Sequence, residues 1–143
     1  MSATAGQAQG ERGLAERLGL KAGQVVQEIG WDEDVDNELR DSIEDLTGNE
    51  LLDEETDDVV DVVLLWWRDG DGDLFDVLSG DAMRALADGG QIWLLTPKAG
   101  RDGHVEPSDI GEDAATAGLS QTSSISAAPD WSGTRLTAPK GRR

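Results

Sequence analysis

The stretch Asp58–Arg68, DVVDVVLLWWR, decides the fold class of this chain. Eight of its residues are Val, Leu or Trp, and one Asp interrupts them. A β-favouring run without alternation is typical of a central strand that is covered on both faces. A helix is the rival interpretation, but the turn residues DGDGD that follow at Asp69–Asp73 favour the strand. The two tryptophans would then point to opposite faces of a sheet, because side chains alternate along a strand.

Two elements are predicted before this strand. KAGQVVQEI (Lys21–Ile29) predicts a short strand that ends at Gly30. The following segment, Trp31–Gly48, predicts an amphipathic helix, because its apolar residues recur at helical spacing. The residues that define this apolar face are Val35, Leu39, Ile43 and Leu46.

Strands and helices also alternate after the central run. In order, we predict a helix at Leu74–Leu86 ended by Asp88-Gly89-Gly90, a strand at Gln91–Thr96, a helix at Pro107–Ala117, a strand at Leu119–Ser126, a turn at Asp130–Gly133 and a strand at Thr134–Thr137. This order predicts an α/β fold with a small three-layer Rossmann-like sheet, mostly parallel, with a C-terminal antiparallel strand pair. We expect one domain over residues 18–139, a flexible N-terminal tail over 1–17 and a basic C-terminal tail over 140–143.

The charge of the chain is strongly negative and unevenly distributed. The 143 residues carry 30 acidic and 12 basic side chains, a net charge of -18. The segment Glu28–Asp81 holds 21 of the acidic residues and only two basic ones, Arg40 and Arg68, for a net charge of -19. Such a surface repels phosphate groups, so we expect neither direct nucleic-acid binding nor attachment to an anionic membrane.

The residue types that the chain lacks exclude further classes of site. There is no Cys and one His, His104, which excludes thiolate zinc sites, iron–sulfur clusters and a multi-histidine metal site within one chain. No apolar run approaches the roughly 20 residues that span a bilayer. The N-terminal segment lacks the pattern of a secretory signal, so we predict a cytoplasmic protein.

The acidic segment has two interpretations. It is the solvated side of the predicted helix and loop, or it is an interaction surface for a protein partner with a basic surface. In the second case the candidate partner-binding residues are Glu33, Asp36, Asp41, Glu44, Asp45, Glu54 and Glu55.

The second half of the chain resembles the last part of a class I methyltransferase-like Rossmann fold. The resemblance is carried by ADGGQIWLLT (Ala87–Thr96), by a helix that ends in AGL (Ala117–Leu119) and by the two strands that close the sheet. It implies such a fold over Leu74–Pro139. In that family an acid-x-Gly-x-Gly-x-Gly loop follows the first strand.

The corresponding stretch here is Glu28-Ile29-Gly30-Trp31-Asp32-Glu33, in which Trp and acids replace the later glycines. Those glycines let the backbone approach a ligand, so we predict no cofactor. The alternative is a degenerate site of the same kind. Its ligand-binding residues would be Glu28, Gly30, Asp32, Trp67 and Lys98.

The chain as a whole is similar to a small actinobacterial family known as domain of unknown function 3052. The segments that carry the similarity are LGLKAGQVVQEIGWDEDVD, VVLLWWRDGDGDL, IWLLTPKAGRDGHVEPSDI and DWSGTRLTAPK, between Leu18 and Lys140. The similarity implies a compact cytoplasmic protein and brings no established activity with it.

Two short motifs leave alternatives open. DGDGD resembles the start of a calcium loop, but Leu74 and Gly80 stand where that loop needs Gly and Glu, so we predict an acidic turn and no metal site. Lys98, Arg101 and His104 form a basic loop that either contacts an anion or is only solvated. No nucleophile or orienting partner accompanies His104 in sequence, so we predict no catalytic residue.

The sequence therefore predicts a non-catalytic acidic adaptor or regulator that binds a basic protein partner. The alternative is a small-molecule-binding protein or enzyme with a degenerate methyltransferase-like site.

Overall fold

A computed structural model describes residues 15–56, 58–84 and 86–138, without the side chain of Asp88. The elements alternate between strands and helices up to a final strand pair. In chain order they are β1 (Val26–Ile29), α1 (Asn37–Thr47), β2 (Val60–Trp66), α2 (Leu74–Ser79), α3 (Asp81–Arg84), β3 (Leu86–Pro97), α4 (Pro107–Thr116), β4 (Ser120–Ala128) and β5 (Trp131–Thr137).

The strands form one mixed sheet in the order β1-β2-β3-β5-β4. β1, β2 and β3 run parallel to one another. β5 pairs antiparallel with both β3 and β4. The prediction of a mostly parallel sheet is therefore wrong, because half of the strand pairings are antiparallel. The α/β class and the closing antiparallel pair are confirmed.

Helices cover both faces of the sheet, and β2 is an interior strand between β1 and β3. Trp66 packs in the cluster that contains α1 residues such as Leu39 and Ile43. Trp67 packs in the opposite cluster with α2, α3 and α4. The prediction that the two tryptophans face opposite layers is thus confirmed, and it follows from the alternation of side chains along a strand.

Several predicted boundaries are wrong. α1 begins at Asn37 instead of Trp31, because the carboxylate of Asp36 accepts a hydrogen bond from the Leu39 N–H and caps the helix. β1 begins at Val26, five residues later than expected.

The predicted helix Leu74–Leu86 is divided at Gly80 into α2 and α3, and Leu86 already belongs to β3. The Asp88-Gly89-Gly90 sequence lies inside β3 and does not end an element. β2 and β3 change register there, since Val60 pairs with Leu86 and Val62 pairs with Gln91. Towards the C-terminus, β4 extends to Ala128, two residues beyond its predicted end at Ser126. β5 begins at Trp131, within the turn that was predicted at Asp130–Gly133.

The ordered core begins before the expected domain boundary at residue 18. Residues 15–17 form a helical turn, and Ala15 and Leu18 are fully buried. The indole N–H of Trp93 donates to the carbonyl oxygen of Leu18 at 2.9 Å and ties this turn to the sheet. Residues 1–14 of the predicted N-terminal tail and the whole predicted C-terminal tail, 140–143, lie outside the described residues. In the part of the chain that the structure describes, no helix is both long and apolar enough to cross a membrane.

Candidate functional site

The carboxyl ends of β1 and β2 meet at a point where the chain changes direction across the sheet. After α1 the chain first reaches the outer edge of β1, where Leu52 forms a parallel bridge with Gln27. It then returns to form β2 on the other side of β1, where Gln27 pairs with Val63. Such a switch of direction opens a crevice at the strand ends, which is where open α/β sheets bind ligands.

Gly30 ends β1 at this crevice, and both of its backbone polar groups are occupied by side chains of the same chain. Its N–H donates to the Glu54 carboxylate at 2.8 Å, and its carbonyl oxygen accepts from the Arg68 guanidinium at 2.9 Å. Its φ of 82° lies in the left-handed region, and an added Cβ would overlap the carbonyl oxygen of Trp66. Only glycine fits at this position, because both the conformation and the space exclude a side chain.

Arg68 closes the crevice from the end of β2. Its guanidinium makes two contacts to Asp34, at 2.5 and 3.0 Å, and a longer one to Asp71, at 3.4 Å. It also lies 5.4 Å from the centre of the Trp131 ring. Burial works against the charged form, but Asp34 and Asp71 outweigh it and raise the pKa of Arg68. The hydrogen bonds from Arg68 lower the pKa of Asp34 in turn. The site therefore holds a stable internal ion-pair network.

Gln27 positions the acidic loop that carries Glu54. The Gln27 side chain is 3% exposed, and its amide nitrogen lies 3.1 to 3.4 Å from the carbonyl oxygens of Asp53, Glu54 and Thr56. Sequence reasoning missed this residue. The available signal was a polar residue among the apolar residues of a predicted strand, which calls for buried hydrogen-bond partners.

The remaining crevice has a volume of about 300 Å³. Three carboxylates line it, from Glu54, Asp71 and Asp81, and the guanidinium of Arg68 is already paired with acids. Trp31 stands at its edge with 53% of its surface exposed. This lining opposes phosphates and carboxylates and suits a cationic or neutral group.

The structure brings together two of the five residues predicted for a degenerate methyltransferase-like site, Gly30 and Trp67, which both line the crevice. Glu28 is buried, where its carboxylate accepts from Arg40 at 2.7 and 2.9 Å and from the Trp66 indole at 2.9 Å.

The other two predicted residues lie outside this crevice. Asp32 is exposed and accepts from the N–H of Glu33. Lys98 follows β3 and donates to the Ser126 hydroxyl at 2.6 Å. Neither side chain is among those that line the crevice.

The predicted partner-binding carboxylates divide into two groups. Two are half-buried and have structural contacts: Asp36 caps α1, and Glu44 accepts from the Leu51 N–H at 2.9 Å. The exposed members of the set are Glu33, Asp41, Asp45, Glu54 and Glu55. We call these five the acidic surface. Glu54 is the member that also contacts the crevice, through Gly30.

The aspartates of the DGDGD motif have structural roles. Asp73 caps α2 by accepting from the Phe75 N–H, and Asp71 accepts from Arg68. Over the described residues, no three His, Asp or Glu side chains are grouped so as to hold a metal ion.

The basic loop does not form one cluster. Arg101 pairs with Asp130 at 3.2 Å, and His104 Nδ1 lies 2.9 Å from the Pro97 carbonyl oxygen. A carbonyl only accepts, so Nδ1 carries the proton in this contact. Lys98 contacts neither of these partners and donates to a β4 hydroxyl instead.

The model of the family described as "Protein of unknown function (DUF3052)" matches residues 15–140. The chain belongs to this family. The similarity noted in the sequence is thereby confirmed. An uncharacterised protein of Mycobacterium bovis and one of Mycobacterium tuberculosis are each 56% identical to this DUF3052 chain over 128 residues. The alignment covers 90% of the chain and 80% of each relative.

Solved structures with a similar fold include methyltransferases. A putative O-methyltransferase from Nostoc punctiforme has a TM-score of 0.64 at 13% identity, over 91% of this chain and 56% of that one. A SAM-dependent methyltransferase from Aquifex aeolicus has a TM-score of 0.56 at 15% identity, over 89% and 88%. The pyocyanin biosynthetic protein PhzM reaches 0.61 at 13% identity, and the DUF3052 chain spans about half of its length. These likenesses establish a methyltransferase-like fold and do not extend to an activity.

Proposed function

We propose that this DUF3052 protein is a non-catalytic cytoplasmic adaptor or regulator, without a cofactor, that binds a basic protein partner through its acidic surface. The observation that carries the proposal is the occupation of both backbone polar groups of Gly30. At this strand end a ligand would be expected to use free backbone groups, and here Glu54 and Arg68 already use them.

A cofactor at this crevice would have to displace internal partners. Hydrogen bonds to charged groups contribute about 1.5–3 kcal/mol each, and Gly30 makes one with Glu54 and one with Arg68. A phosphate or carboxylate would in addition face the negative charges of Asp71 and Asp81. These costs favour a role in which Glu54 and Arg68 stay bound to Gly30 and no cofactor enters the crevice.

The exposed carboxylates support the partner-binding part of the proposal. Glu33, Asp41 and Glu55 project into solvent from α1 and its flanking loops. They belong to the segment with a net charge of -19, whose field attracts a basic surface and speeds its association. Trp31, exposed at the crevice edge, could add a contact to an arginine side chain of the partner.

The proposal is tested by affinity capture from a native lysate with the purified chain as bait, at low and at moderate salt. We expect a basic partner that binds at low salt and is released at higher salt, because exposed charges are screened over about 10 Å at 0.1 M salt. The double variant Asp41→Asn/Glu55→Gln should capture less of that partner, since it removes two exposed charges of the acidic surface.

The matched control is Asp102→Asn/Glu112→Gln, which removes the same charge from exposed positions outside the acidic surface. It should capture the partner as the wild type does. Capture of no salt-sensitive partner, or an equal loss with both double variants, would contradict the proposal.

The crevice beside Gly30 and Trp67 supports a second candidate function, that of a small-molecule-binding protein or enzyme with a degenerate methyltransferase-like site. Thermal unfolding in the presence of S-adenosylmethionine distinguishes the two, because a ligand that binds the native state raises its melting temperature. We expect an unchanged midpoint. A rise that Trp67→Ala abolishes would favour the second candidate.

A further inference from the structure

A second cavity, of about 310 Å³, lies on the other half of the sheet, away from the switch point. Its floor is formed by β3, β5 and β4, and the N-terminal end of α4 closes one side. α4 covers the neighbouring part of this face through Ile110 and Ala114. The cavity therefore opens where the helical cover of the sheet ends, and it shares no lining residue with the crevice at Gly30.

Hydroxyl groups form the floor in two rows across the strands. Thr96 pairs with Ser132, and Ser132 pairs with Ser126, so these three lie side by side in one row. Thr134 and Ser124 form the next row. Neighbouring strands lie about 4.8 Å apart, so the five hydroxyls form one compact polar wall.

Two of the residues that supply these hydroxyls are almost fully buried. Thr96 is 2% exposed and Thr134 is 4% exposed, and both line the cavity. Within the described residues, neither hydroxyl makes a hydrogen bond. Among the described residues, Gln27 Oε1 is the only fully buried side-chain polar atom without a partner, so these two hydroxyls are reached from the cavity and can bond to water or to a ligand there.

The charge around the cavity indicates the sign of that partner. Lys98 lies at the rim, where its ammonium donates to the Ser126 hydroxyl, and it pairs with no carboxylate among the described residues. No Asp or Glu is among the residues that line the cavity, in contrast to the crevice at Gly30, and the Glu106 carboxylate lies outside it, 3.7 Å from the lining residue His104. The ligand should therefore place an anionic group at the rim. It should carry only one negative charge, because a chain with 30 acidic residues repels a more negative ligand.

The rest of the lining is partly apolar and also includes the polar side chains of His104 and Gln121. The aliphatic side chains of Val105 and Ile110, which belong to the cluster on this face of the sheet, line the cavity together with the hydroxyl wall. A volume of 310 Å³ is at the lower end of the range for small-molecule sites. The lining thus offers a cation and hydroxyls to one end of a ligand and aliphatic side chains to the other.

We propose that this cavity binds a small monocarboxylate. Its carboxylate accepts hydrogen bonds from Lys98 and from the hydroxyl wall, and its short hydrocarbon part packs against Val105 and Ile110. The site is independent of the partner-binding role, because it uses none of the residues of the acidic surface.

The test is a nitrogen-15 NMR titration of the full chain with sodium butyrate, with sodium chloride at matched ionic strength as the salt control. We expect saturable shifts of the backbone amides of Thr96, Ser126 and Thr134. Butyramide has the same shape without the charge. It should bind at least about tenfold more weakly, since it loses a hydrogen bond between charged groups.

Variants assign the binding to the cavity. Lys98→Met removes the ammonium and Thr134→Val removes a hydroxyl at nearly constant shape, and each should weaken butyrate binding. Arg101→Met is the matched control, because Arg101 belongs to the same loop but pairs with Asp130 and does not line the cavity. It should bind as the wild type does.

Three results would overturn the proposal. They are equal binding of butyrate and butyramide, butyrate binding that is unchanged in Lys98→Met, and no saturable shift at the cavity residues. The first and third need only the wild-type protein, so the proposal stays testable if a variant fails to fold.

Discussion

Breaking the buried pair between Glu28 and Arg40 should destabilise the protein by an amount that depends on which partner is removed. Glu28 lies on β1, and its carboxylate is only 7% exposed. It is held by two hydrogen bonds from Arg40 and by one from the Trp66 indole. Arg40 is 28% exposed, so its guanidinium also reaches water.

The variant Arg40→Met leaves a buried carboxylate with the Trp66 indole as its remaining partner among these contacts. Removal of one member of a buried pair costs about 3–5 kcal/mol, and we expect a value near the lower end, about 3 kcal/mol, because Arg40 is partly solvated. Glu28→Gln keeps an oxygen for Trp66 and leaves a guanidinium that water can solvate. We expect a loss of about 1–2 kcal/mol in that case.

The assay is equilibrium unfolding in urea at pH 7, followed by tryptophan fluorescence and extrapolated linearly to water. The double variant Glu28→Gln/Arg40→Met should be more stable than Arg40→Met alone, since it no longer buries an unpaired charge. A loss below about 1 kcal/mol for Arg40→Met, or a double variant less stable than Arg40→Met, would refute this reasoning.

Three further outcomes are expected. Gly30→Ala should destabilise far more than Gly48→Ala in urea unfolding: the two glycines have φ of 82° and 81°, but only at Gly30 does an added Cβ meet other atoms. Burial, together with two neighbouring carboxylates, raises the pKa of Asp113, so Asp113→Asn should stabilise the fold at pH 7, and the gain should disappear as the pH falls towards the ordinary value of 3.8. Trp93→Phe should cost about 2–3 kcal/mol and speed amide hydrogen exchange in residues 18–20, because it removes the hydrogen bond that ties them to the sheet and leaves a cavity where the buried indole packs.

The long-range pairing of strands explains why several boundaries could not be predicted. A Gly-Gly pair is a good local signal for the end of an element, yet Gly89 and Gly90 lie within β3. An added Cβ at Gly90 would meet the Asp61 carbonyl oxygen at 2.9 Å, so glycine is needed there for close approach to β2. This requirement exists only once β2 and β3 are paired, and no local pattern in the sequence contains it.

At the candidate site, too, local features could be predicted from the sequence and long-range contacts could not. Gly30 and Trp67, which line the crevice, were predicted from the sequence, because the end of a strand and a tryptophan pair are local features. The pairing of Glu28 with Arg40 and the contact of Glu54 with Gly30 were not predicted. The first joins residues 12 positions apart in the chain, and the second joins residues 24 positions apart. The contacts of Gln27 and the grouping of the hydroxyls around the cavity likewise depend on residues that are distant in the chain.

The sequence by itself determined the α/β class, the interior position of β2, the opposite directions of Trp66 and Trp67, and the place of the negative charge. These properties follow from residue type and from periodicities of two and 3.6 residues, which act between near neighbours. The tertiary structure alone decided that Arg68 and Glu54 occupy the switch point, and that Lys98 remains at the rim of a hydroxyl-lined cavity. Those outcomes depend on which distant segments meet when the sheet closes, and the free energy of each contact is set by burial that only the folded chain provides.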